Sequence, residues 1–90
     1  MKYLQTVWAV ESGKFLEKPQ VRKGQLGTSC LVQNYAVVHE DDTRKLYDLH
    51  EVFDSLDKAL SYQVFLLMEK KVVASSFLRD IDVELKAIAV

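Results

Sequence analysis

Hydrophobic and polar positions divide this chain in two. Up to about residue 53 apolar and polar residues alternate in short runs, the period of a β-strand. From Leu56 onward the apolar positions step by four and three, the period of an α-helix. Gly13, Pro19, Gly24 and Gly27, all the glycine and proline of the chain, precede residue 28, so nothing beyond is a strong breaker. The pattern predicts an α+β fold in one domain over residues 1–90. A four-stranded, largely antiparallel, hairpin-built sheet over 1–53 is followed by one long amphipathic helix over 55–90.

Within the sheet region, residues 2–11 place Leu4, Thr6, Trp8 and Val10 on one face and Tyr3, Gln5, Val7 and Ala9 on the other. Ser12-Gly13 reads as a two-residue hairpin turn, with Lys14 to Gln20 or Val21 returning as strand two. That register sets Val10 against Phe15 and Trp8 against Glu17. Pro19 donates no ladder hydrogen bond, which makes strand two an edge or bends it. Arg22–Ser29, with two glycines, reads as a loop, and Cys30–His39 as the clearest strand. Glu40–Thr43 is a polar turn before a fourth strand over Lys45–Phe53.

Asp54 or Ser55 is placed to cap the helix, and Asp57 suits the positive end of its dipole. Leu60, Val64, Leu67, Ala74, Leu78, Ile81, Leu85 and Ile88 form its main stripe, broken only by Lys71. This is the spacing of a two-helix seam sustained over about four heptads. An unbroken helix of this length spans about 50 Å, far beyond a strand of about 17–20 Å. The distal half is therefore expected to project past the sheet or to bend back. The β-branched and serine residues of Val72–Ser76 mark the place for a kink.

Apolar residues also stand outside the stripe, among them Phe65, Met68, Val72, Phe77 and Val83. One small sheet needs only one stripe, so the excess points to self-association or a protein partner. The positions flanking the stripe, Gln63, Lys70, Phe77 and Glu84 on one side and Ser61, Met68, Ser75 and Asp82 on the other, carry no charge code for a parallel coil. A symmetric dimer, with Leu60, Val64, Leu67, Ala74, Phe77, Leu78, Ile81 and Leu85 at its interface, is the expected assembly.

Composition narrows the chemistry. The 90 residues carry a net charge of −1, with seven Lys/Arg against eight Asp/Glu up to residue 55 and five against five thereafter. No basic or acidic tail exists to hold a polyanion. The single cysteine, Cys30, has no partner for a disulfide or a CxxC motif and reads as a small packed thiol. The N-terminal run is interrupted by Gln5 and Thr6, unlike a secretory leader. The longest apolar run, Val64–Met68, is too short to span a bilayer, so a cytoplasmic, non-membrane protein is expected.

Candidate sites are weak. His39 and His50, each followed by acidic residues, invite a metal reading, but the hairpin sets them roughly 16 Å apart, too far for one ion. Glu40-Asp41-Asp42 lacks calcium-loop spacing. The serines form no nucleophile elbow, and the Gly24–Gly27 segment matches no phosphate-binding fingerprint. No catalytic residue, metal ligand or cofactor is expected, and an enzyme is not the reading. The alternative to an interaction module is a small nucleic-acid-binding or regulatory protein that uses Lys14, Lys18, Arg22 and Lys23 beside Tyr3, Trp8 and Phe15.

Overall fold

The structure, a computed structural model, describes residues 2–15 and 17–88. Leu16, expected in strand two, and Ala89 and Val90, expected at the end of the helix, lie outside the described residues. An antiparallel sheet of five strands precedes one long helix, an α+β architecture. The strands are β1 (Thr6–Glu11), β2 (Gln20–Cys30), β3 (Tyr35–Glu40), β4 (Thr43–Asp48) and a short β5 (Val52–Phe53), ordered β4-β3-β2-β1-β5. The helix, α1, runs over Leu56–Ile88 without a break through Val72–Ser76.

The second strand differs from expectation. No two-residue turn follows β1. The chain instead makes an eight-residue excursion, and Glu11 pairs with Gln20, Val10 with Val21 and Trp8 with Lys23. Lys14–Glu17 close a turn inside that excursion, with Glu17 N donating to Lys14 O at 3.0 Å. Pro19 sits just before the strand, where no ladder hydrogen bond is asked of it.

The segment expected as a loop, Arg22–Ser29, is the middle of the longest strand. Its glycines are there for closeness. A Cβ on Gly24 would lie 2.6 Å from the His39 carbonyl oxygen and from Val38 Cγ1, and one on Gly27 would run into the His39 imidazole. At Gly27 the β2–β3 register shifts by a bulge.

β3 likewise begins later than its alternation implies. Leu31–Asn34 form the hairpin turn, with Asn34 at φ +55°, a region asparagine tolerates. Leu31 and Val32 are thus 82% and 96% exposed at a tip rather than paired in a strand. The expected fourth strand is split by a 3₁₀ turn over Leu49–Glu51, which carries the chain from β4 at one edge to β5 at the other.

That crossing is short because the sheet curls. β4 and β1 are separated by two strands, about 14 Å in a flat sheet, yet Tyr47 Oη donates to Glu11 Oε1 at 2.9 Å. Val7, Ala9, Leu26, Ala36, Val38, Tyr47 and Val52 fill the concave side. On the convex side Val10 meets Ala59 and Leu66 of α1, with Trp8, Val21, Phe53 and Tyr62 around them. β1 is therefore buried on both faces, and the helix closes the second.

The mouth of the concave side is a polar staple. Glu11 Oε1 accepts from Lys45 Nζ at 2.8 Å and lies 3.0 Å from Arg22 Nε, while Arg22 Nη1 reaches Glu40 Oε1 at 3.5 Å. Lys45 above all holds the Glu11 carboxyl below its ordinary range; burial opposes this, and Tyr47 and Arg22 reinforce it. A depressed carboxyl stabilises the fold above its unfolded value, and that contribution is lost as pH falls through the folded value. Glu11→Gln is therefore expected to cost about 1 kcal/mol at pH 7 and progressively less towards pH 3. Urea denaturation at both pH values checks this; an equal cost at each would remove the ionised staple.

Candidate interaction surface

Ser55 caps α1 through a long contact from Lys58 N to its Oγ, 3.4 Å. Asp54, the other expected cap, instead pairs with Lys58 Nζ at 3.0 Å. From there the helix meets the sheet along one line. Ala59 and Leu66 are buried, and Tyr62, Gln63, Lys70 and Ala74 are half-buried.

The excursion between β1 and β2 supplies the rest of that seat. Gln63 Nε2 donates to Pro19 O at 2.8 Å. Lys70 Nζ donates to the carbonyl oxygens of Ser12, Lys14 and Glu17, which satisfies all three ammonium protons on backbone. Phe77 meets Phe15 edge to face at 6.3 Å between ring centres. Gln63, Lys70 and Phe77 thus repeat every seven residues and face the chain's own loop. Their spacing is readable in the sequence; their partner is not, because the loop's own residues read as a strand.

The main stripe points elsewhere. At 3.6 residues per turn its mean direction lies about a quarter-turn from the buried line. Leu60, Val64, Leu67, Leu78, Ile81, Leu85 and Ile88 are all exposed, Leu67 by 42% and Leu78 by 61%. Ala74 is half-buried, and Phe77 belongs to the loop side rather than to the stripe. Every residue from Ser75 to Ile88 is exposed, so the distal helix projects, and the molecule measures 62 × 26 × 24 Å. A further apolar strip, Phe65, Met68 and Val72, is also exposed.

The four cations considered for nucleic acid do not share a face. Arg22 and Lys23 are neighbours on β2 and point to opposite sides of it. Arg22 is engaged by Glu11 and Glu40, while Lys23 lies 6.0 Å above the Trp8 ring. Lys14 and Lys18 are exposed in the excursion. Among the described residues, Asp48, His50 and Glu51 bring one potential ligand atom each within 4.8 Å of one another. Glu51 already accepts from Asp48 N at 3.1 Å, and the His50 ring stands edge-on to Tyr62 at 6.3 Å. His39 faces Arg44 across the β3–β4 pair, well away from this trio in the chain.

Among the described residues, no helix is long and apolar enough to cross a membrane. Among the described residues, Leu60, Val64, Leu67, Leu78, Ile81, Leu85 and Ile88 form an exposed apolar stripe along α1. No protein-family profile, curated protein or solved structure matches the chain.

Proposed function

We propose that this chain is a non-enzymatic protein–protein interaction module that self-associates through α1. One observation carries the reading. The sheet and its loop take the face of Ala59, Leu66 and Lys70, and the regular stripe of Leu60, Val64, Leu67, Leu78, Ile81 and Leu85 remains in water. A seam of leucine, isoleucine and valine at steps of four and three is the surface a second helix buries. Left bare, a strip of this length is a liability that soluble monomers avoid. Cys30 is a free thiol, which suits a reducing compartment such as the cytoplasm.

Light scattering coupled to size-exclusion chromatography, at loadings from about 5 to 500 μM, tests the assembly. The expected result is a mass near twice 10.3 kDa that falls towards the monomer on dilution. A constant monomer mass throughout would overturn the proposal.

A further inference from the structure

We infer that the occupant of the exposed stripe is a second copy of α1 running antiparallel, in the register that sets each Lys71 against Ala74 of the partner subunit. The inference rests on the self-association reading above and fixes its geometry.

Two residues decide the orientation. Along the stripe only Lys71 is charged and only Ala74 is small, and they occupy consecutive layers. A parallel pair stacks each residue on its own copy. One layer would then hold two lysines, like charges in a seam, and the next two alanines, a gap where the helices cannot both close. Like charges so placed repel, and an unfilled layer forfeits packing. An antiparallel pair joins the two defects into one layer. The lysine stem lies over the small alanine, and the ammonium runs out to water.

The remaining layers then match. Leu60 faces Leu85 of the partner subunit, Val64 faces Ile81 of the partner subunit, and Leu67 faces Leu78 of the partner subunit. Each layer appears twice about the two-fold axis. A single lysine in such a seam sets register at a cost in stability, a known use of polar seam residues.

Full overlap also gives the area a stable dimer needs. In this register residue 57 lies opposite residue 88, so nearly the whole helix is in contact. A contact strip about 10 Å wide along about 48 Å of helix covers roughly 500 Å² per copy. The pair reaches about 1,000 Å², the lower bound for a specific interface. The flanking positions favour neither orientation by charge, so the Lys71–Ala74 layer carries the choice.

Spin labels measure the orientation directly. The background is Cys30→Ser, so that only an introduced thiol reacts. Ser75→Cys and Lys86→Cys are made separately, both at exposed positions outside the stripe. Dipolar distances are read by pulsed electron resonance on the assembled protein. The expected result is a short distance at position 75, under about 25 Å, and a long one at position 86, about 40 Å, since 27 residues of rise separate the two labels.

Short distances at both positions mean a parallel pair and overturn the orientation while leaving self-association standing. A distance near 30 Å at position 86 marks a slip of one heptad, with Lys71 on Ile81 of the partner subunit, and overturns the register. The absence of dipolar coupling at both positions, with a monomer mass by light scattering, removes the underlying reading.

Discussion

Replacing Leu67 and Leu78 together by lysine is expected to yield a folded monomer. Both side chains are exposed within one copy, Leu67 by 42% and Leu78 by 61%, and neither contributes to the two buried clusters, so the sheet and its packing against Ala59 and Leu66 should persist. In the proposed assembly each copy contributes both leucines, so four would be lost from the seam. At about 1.5 kcal/mol for each buried leucine, the loss is about 6 kcal/mol, or roughly four orders of magnitude in Kd.

A second signature separates loss of assembly from loss of fold. Beyond the Phe15–Phe77 contact, residues 78–88 are all exposed in a single copy, and an isolated helix of that length is marginal in water. The variant should keep the tryptophan environment of Trp8, which lies against the helix base, while losing part of the ellipticity at 222 nm. Light scattering with circular dichroism measures both. A variant that remains dimeric would show that the stripe is not the contact surface, wherever the true one lies.

Leu26→Ala is expected to have the largest effect on stability. Leu26 is 2% exposed at the centre of the concave side, among Val7, Val38 and Tyr47. Truncation leaves a cavity that a curled sheet cannot easily collapse, because Gly24 and Gly27 on either side already hold β2 in close contact with β3. Leucine-to-alanine changes at such sites cost about 2–5 kcal/mol. The whole stability of a small domain is about 5–15 kcal/mol.

A melting point lowered by about 8 °C or more follows at about 4–8 °C per kcal/mol. Urea and thermal unfolding at matched protein concentration read the change; matching is required because association stabilises the folded form by mass action. A cost below about 1 kcal/mol would mean that the concave side is loosely packed.

The helix was legible from the sequence because its signal is long and repetitive: 33 residues with no breaker and a sharp polar start at Asp54-Ser55. β1 and β3–β4 were legible in part: Ala36 and Val38 alternate with less buried neighbours, and Val7 and Ala9 share one face of β1 although Val10 is buried on the other. β2 was not. Of its inward residues Gln20, Arg22, Gly24 and Leu26, the first two are drawn into the polar staple, the third is pressed on β3, and Leu26 alone is a large apolar side chain. A true strand therefore presents a polar, glycine-bearing pattern that imitates a loop.

The opposite error arose at Leu31-Val32, whose apolar character belongs to an exposed turn. The stripe itself was readable, but its direction was not. Periodicity finds the apolar line on a helix, whereas which line the sheet takes depends on where Lys70 and Gln63 find their carbonyl partners.

The grip of Lys70 on three loop carbonyls has a mechanical meaning. It is the last polar anchor before the helix leaves the body of the protein, with Phe15 and Phe77 beside it. Ser12, Lys14, Phe15, Glu17 and Pro19, between β1 and β2, thus act as a saddle, and the rotation of the rod about its own axis is set by how that saddle is shaped. Lengthening or shortening the saddle by a residue would roll the rod and present a different side to the outside, so in the assembly proposed above the choice of companion would be written in a hairpin far from the place where companions meet.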